Sequence, residues 1–131
     1  MSKGNTTEND VLEHLFKATA LSWAANANLY IALHTGDPGE AGSANEIGAG
    51  VGYARQSAAF TSNGDGTVDN DALITFGPNT NTNWGSVTHV SVWTAASGGS
   101  CLYKGPLTAA KTVNIGDSLD IAAAALVVGE T

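Results

Sequence analysis

The sequence predicts an all-β domain with an N-terminal helix, built as an antiparallel β-sandwich of the jelly-roll kind. Three observations carry this prediction. About seven short apolar or β-branched runs are separated by clusters of Gly, Pro, Asn and Asp. Glycine supplies 16 of 131 residues, well above the average of about 7%, as tight turns and close backbone approaches require. One amphipathic segment precedes the strand-like runs. The chain length suits a single core, divided into an N-terminal arm and helix over 1–28 and a sandwich over 29–131.

Thr6-Thr7-Glu8-Asn9-Asp10 offers a hydroxyl cap and early acids, and Val11, Leu12, Leu15, Phe16, Thr19 and Trp23 follow at three-to-four-residue spacing. This predicts a helix from about Glu8 to Ala24. Such a stripe is ordinarily buried on its own domain; the alternative is a neighbouring subunit. Asn26-Ala27-Asn28 breaks the helix, and Leu29 to Leu33 reads as a buried strand ended by turn residues. His34 to Gly52, with Gly36, Pro38, Gly39, Gly42, Gly48 and Gly50, is aperiodic and too long for a turn, which makes it the first candidate functional loop.

Tyr53 to Phe60 is strand-like, and Asn63-Gly64-Asp65-Gly66 is a strong hairpin signal because both dipeptides tolerate positive φ. A return strand is expected through Leu73 to Phe76. Gly77 to Asn83 is a second loop, poor in anything that packs into a core and so expected at the surface. Val87 to Trp93 is rich in β-branched residues and turns through Gly98-Gly99 into Cys101-Leu102-Tyr103. Lys111 to Ile115 alternates, Gly116-Asp117 turns, and Leu119 to Val128 closes the chain as a strand. Within it, Ile121 to Val128 is the longest uncharged apolar run, too short to span a bilayer as a helix.

Five Lys plus Arg against 12 Asp plus Glu give a net charge of -7, which repels polyphosphate and anionic lipid, so direct nucleic-acid or membrane binding is not expected. Charged residues are only 13% of the chain, against about 25% in ordinary domains, so the surface is largely neutral and polar. The single cysteine, Cys101, makes no intrachain disulfide. The polar start, without an apolar signal segment, leads us to expect synthesis in a cytosol.

Reactive groups are scarce. His34 and Asp37 are near one another and offer a general base or ligand at a strand end, but local hydrogen bonds that fix the intervening turn are the simpler role. His89 as an activator of Cys101 lacks a third, orienting group, and a lone cysteine usually behaves as a small hydrophobe. Asn63, Asp65, Asp69 and Asp71 have the oxygen density of a calcium loop, but not its Gly and Glu positions or its flanking helices. Gly48-Ala49-Gly50-Val51-Gly52 lacks the strand and helix that phosphate cradling needs. Tyr53, Trp84, Trp93 and Tyr103 offer an aromatic platform for a sugar, with Asn79, Asn81 and Asn83 as amide partners. Trp84, in a Gly/Asn-rich loop, is its most testable member, the plainer role being to cover the sandwich end.

Several phrases occur in a fixed order: Leu29-Tyr30-Ile31-Ala32-Leu33-His34-Thr35-Gly36-Asp37-Pro38-Gly39, Asn45-Glu46 ahead of Gly52-Tyr53-Ala54-Arg55-Gln56, Trp84-Gly85-x-Val87-Thr88-His89, Gly98-Gly99-x-x-Leu102, and Val113-x-x-Gly116-Asp117-x-Leu119. From Leu29 to Val128 this set resembles small tailed-bacteriophage virion proteins, labelled capsid decoration (cement) or tail-fibre proteins. The preceding helix lies outside the resemblance. What the resemblance implies is a β-sandwich on an assembled particle, with no catalytic residue to transfer.

These readings lead us to expect a non-enzymatic virion structural protein without cofactor or metal. Its leading role would be a capsid decoration subunit bridging major capsid protein subunits on the outer surface of the head, self-associating as a homotrimer by analogy. The alternative is a tail-fibre or host-glycan binding module. The interface candidates are Leu12, Leu15, Phe16 and Trp23 on the helix, Asp37 and Glu46 in the first long loop, and Trp84 in the second.

Overall fold

The structure, a computed structural model, describes residues 2–18, 28–48, 52–80 and 84–129. The chain begins with β1 (Ser2–Lys3) and α1 (Asn5–Lys17), followed by β2 (Leu29–His34), β3 (Gln56–Ala58), β4 (Phe60–Ser62) and β5 (Thr67–Asn70). It continues with β6 (Ile74–Phe76), β7 (Gly85–Trp93), β8 (Cys101–Val113), β9 (Leu119–Ile121) and β10 (Val127–Gly129). A five-stranded sheet runs β1-β8-β7-β2-β3, a three-stranded sheet β10-β5-β4, and β6 pairs with β9. All of these pairings are antiparallel. The architecture is the expected all-β, sandwich-like one with an N-terminal helix.

The alternation of β2 explains how the layers form. Ile31 and Leu33 point into the main core with Val87, Val90 and Val92 of β7 and Ile74, Phe76, Leu119 and Val128 from the smaller sheets. Ala32 points the other way, into a second cluster with Trp93 and Cys101. Both faces are therefore covered, and Ile31 to His34 are fully buried. The segment after β2 covers the second face: Gly42 lies so close to Cys101 and Trp93 that an added Cβ would overlap the Cys101 side chain, and its φ of 77° disfavours any other residue.

The hairpin predicted at Asn63 to Gly66 forms between β4 and β5, with Phe60 opposite Asn70. Its return strand is Thr67–Asn70, not Leu73 to Phe76 as expected. Ile74–Phe76 instead pairs with β9, Ile74 opposite Ile121, and Leu73 is exposed. Leu119 to Val128 is two short strands rather than one. Between them the buried Asn70 donates its amide to the carbonyls of Ala72 and Ala122, both at 2.9 Å, and its Oδ1 accepts from the Leu126 N–H at 2.9 Å. Those bonds hold a turn at Ala122–Ala125, where Ala124 has φ 63°, in place of the continuous buried strand expected there. The second loop is also not wholly superficial. Asn79 is 1% exposed; its side chain donates to the Val113 carbonyl and its backbone exchanges bonds with Asp117 and Gly116.

The helix departs most from expectation. It starts at Asn5 with Gly4 as N-cap and no side-chain cap bond, because the chain enters it from β1. The Gly4 N–H donates to the Leu102 carbonyl and that of Asn5 to Glu40. Thr7, part of the expected cap, is buried with its hydroxyl unpartnered. The helix ends at Lys17, before the predicted Ala24, with Ala18 left-handed at φ 56°. Trp23, the last member of the predicted stripe, lies outside the described residues.

Candidate functional site

Among the described residues, the polar side chains buried on the second face of the five-stranded sheet form a closed relay. His34 ends β2 and places Nδ1 2.8 Å from the Ala44 carbonyl. A carbonyl only accepts, so Nδ1 carries the proton and Nε2 accepts from the Ser91 hydroxyl at 2.7 Å. The Ser91 oxygen in turn accepts from the Trp93 indole N–H at 2.6 Å. A serine hydrogen-bonded to a histidine has the separation of a nucleophile and its base, yet both are 0% exposed, so the pair ties the first loop to the sheet. Burial holds the His34 imidazole below its ordinary pKa, against the opposing Ala44 bond. Asp37 takes no part in this relay; it accepts the Gly39 N–H at 2.9 Å, as a turn-forming aspartate does. That bond, followed by nearby Lys104, holds the Asp37 carboxyl below the usual range.

Cys101 and His89 are held apart. Cys101 opposes Trp93 in the ladder, four positions from His89, which is about 13 Å at the usual strand rise. The thiol is 4% exposed, and burial pushes its pKa up to about 11. Acidic groups of the β4–β5 hairpin are used locally: Asp65 accepts from the Thr67 N–H and hydroxyl, and Asp69 from the Asn63 amide. Among the described residues no group of three or more His, Cys, Asp or Glu is placed to hold a metal ion. None of their helices is long and apolar enough to cross a membrane.

The first loop is clamped by the chain's single arginine. Arg55 donates Nε to Glu46 Oε2 at 3.0 Å and Nη2 to Oε1 at 2.8 Å, a bidentate pair. Its Nη1 donates to the Ala95 and Gly98 carbonyls at 3.1 and 2.8 Å, and its guanidinium lies 3.9 Å from the centre of the Trp93 ring. Tyr53 donates its hydroxyl to Glu46 at 3.1 Å and accepts the Leu33 N–H at 3.1 Å. The clamp joins β2, the first loop, the segment before β3 and the β7–β8 turn. Burial alone would raise the Glu46 carboxyl, but the bonds and charge of Arg55 with the Tyr53 bond outweigh it and hold the group below its ordinary value. Glu46 thus faces inward to a fixed partner, whereas Asp37 is exposed, with the Lys104 ammonium 3.9 Å away.

The aromatic residues do not converge into a platform. Trp84 is 5% exposed and meets Tyr53 edge-on, and Tyr53 stacks on Phe76, all within the main core. Trp93 belongs to the second cluster, beneath Arg55. Trp84 therefore covers the end of the sandwich, the plainer of its two expected roles, and Asn79 is buried, while Asn81 and Asn83 lie outside the described residues.

Among the described residues, two clusters of apolar side chains reach solvent. On α1, Leu12, Leu15 and Phe16 are 56%, 69% and 81% exposed; the spacing i, i+3, i+4 aligns them in one ridge. The stripe is therefore not buried on its own domain, because the helix end packs on β1 and β8 through its first turn, where Thr7 is its sole buried residue. The second feature is a groove of about 400 Å³ between the five- and three-stranded sheets, lined by Leu29, Val92 and Tyr103 on one side and Phe60, Val68 and Val128 on the other. The groove was not legible in sequence, since its lining comes from segments as distant as Leu29 and Val128.

The family model described as Gp80, podophage GP4 fiber I protein gp80, matches residues 2–129. It takes in the helix that lay outside the resemblance noted from the sequence. No curated protein matches the chain.

Proposed function

The chain belongs to the family of podophage GP4 fiber I protein gp80, a phage virion structural protein of the fibre type, and on that premise we propose that it is a non-enzymatic tail-fibre subunit. It works by docking a stiff β framework onto other protein copies. The observation that carries this reading is the exposed Leu12, Leu15 and Phe16 ridge on a helix whose first turn is anchored to the sheet. A ridge of large apolar side chains on a charge-poor body favours protein contact, because its burial releases water without stripping ions. Support for a bond-making centre is weak, since the Ser–His pair and the thiol are both buried. A sugar-stacking role likewise lacks exposed aromatics at Tyr53, Trp84 and Trp93.

Head decoration through the major capsid protein is the competing reading, and the fibre description of the family supports the tail over it. Electron cryo-microscopy of intact particles separates them. The proposal expects density for this fold in fibres; density repeated over the capsid surface would replace it with the cement role.

A further inference from the structure

The fibre reading leaves open what the helix docks on, and the charges around the ridge narrow it. Resting on that reading, we propose that the α1 ridge seats in a groove of a different virion protein, whose floor is apolar and which carries a lysine or arginine just beyond one end. The ridge is not purely apolar. Glu8 is exposed in the first turn of α1, four residues before Leu12 and seven before Leu15, and those spacings put its carboxylate in line with the row. At about 1.5 Å of rise per residue the acid stands about 6 Å along the axis from Leu12, and the apolar row runs about 6 Å further to Phe16. A complementary site therefore places a cation about one helical turn from the pocket that takes Leu12, Leu15 and Phe16. Without that cation, docking strips water from the Glu8 carboxylate and returns nothing.

A second copy of this chain does not offer that combination. It has five lysines and arginines against 12 acids, and most of the five are taken. Arg55 is held by Glu46 at 2.8 Å, Lys104 lies 3.5 Å from Glu40 and 3.9 Å from Asp37, and Lys17 lies 3.9 Å from Glu13 on the ridge helix itself. Lys3 is engaged as well. Lys111 is exposed on β8, flanked in its strand by Ala110 and Thr112. The apolar groove between the sheets has no basic residue in its lining, so apolar floor and cation do not occur together on this chain. An anionic lipid surface lacks the cation too, and it repels a body of net charge -7. A basic protein site gains from that same charge, which steers the encounter and suppresses acidic partners.

The test replaces Phe16 of the full chain, 81% exposed, by the photoreactive p-benzoylphenylalanine, illuminates assembled phage particles and identifies the joined peptide by mass spectrometry. The proposal expects that peptide to come from another virion protein and to carry lysine or arginine beside apolar residues. Glu8→Lys is expected to cut the amount of chain in purified particles at least ~tenfold, because it sets like charges together. Thr6→Lys, at an exposed position on the far side of the same turn, is expected to leave that amount at the parental level. Replacing the partner's cation by glutamate is expected to restore Glu8→Lys, a rescue that a role confined to helix stability would not show. If Glu8→Lys fails to fold by circular dichroism, the cross-linked segment decides alone. A cross-link to a second copy, to lipid or to a segment without lysine or arginine would overturn the proposal. So would particles that hold the chain but give no cross-link, incorporation indifferent to Glu8→Lys, an equal loss with Thr6→Lys, or a failed rescue. None of these results moves the fibre reading, which the particle density tests separately.

Discussion

Replacing Arg55 by alanine removes the side chain that ties the first loop and the β7–β8 turn to the segment before β3. The guanidinium is 9% exposed and its Glu46 partner 20% exposed, so neither charge is well solvated. Breaking such a pair from one side costs about 3–5 kcal/mol when fully buried, because the remaining charge is left without its partner. Glu46 keeps the Tyr53 hydroxyl and some contact with water, which places this case at the lower end, about 3 kcal/mol. The Ala95 and Gly98 carbonyls and the Trp93 face lose their cation as well. For a chain of this size the melting temperature should fall by roughly 10 °C. Arg55→Lys retains the charge but not the planar fork that reaches both carboxylate oxygens and two carbonyls, so about half of the loss should remain. Thermal unfolding followed by circular dichroism at pH 7 measures both. An alanine variant melting within about 2 °C of the parent would mean that the pair behaves as an exposed surface pair, and the clamp argument would fail.

Three further outcomes follow from the same structure. Leu15→Asp and Phe16→Asp, at positions 69% and 81% exposed, should change the stability of the isolated chain by no more than about 0.5 kcal/mol; unfolding of either would show that the ridge is core. Stability should fall as pH drops below about 6.5, before the carboxylates titrate. The buried His34 is held below its ordinary value of 6.5, so the unfolded chain binds the extra proton first, and Glu46, also depressed, adds a second decline only as pH falls below the ordinary carboxylate range. His34→Gln should flatten the first decline, and a melting profile unchanged in slope between pH 5 and 7 would contradict the assignment. Cys101, with its pKa raised to about 11, should resist iodoacetamide at pH 8 until the protein is unfolded; rapid labelling of the native chain would show an accessible thiolate.

The elements legible in the sequence were those written in local chemistry. Leu29 to Leu33 is an unbroken apolar run, Val87 to Trp93 is rich in β-branched residues, and Asn63 to Gly66 carries its own turn geometry, so β2, β7 and the β4–β5 hairpin lie where expected. The misplaced return strand and the split C-terminal strand depend on Ile74 meeting Ile121 and on the Asn70 side chain reaching Ala122 and Leu126. Such contacts between distant segments leave no period in either one. The helix ends early at a left-handed Ala18 although the apolar spacing continues, because periodicity reports a face and not a backbone break. Leu12, Leu15 and Phe16 were identified from that periodicity. Glu46 was singled out, but its role was not: its partner Arg55 is nine residues away across an aperiodic loop, and the one signal for it was a solitary arginine in a charge-poor chain.

The central claim is that the chain acts by docking through the helix ridge. Its most direct test is the amount of this chain incorporated into phage particles when Leu15 and Phe16 are both replaced by aspartate. The account predicts that the variant folds and accumulates in the infected cell but is missing from purified virions, whereas incorporation at the parental level would contradict it.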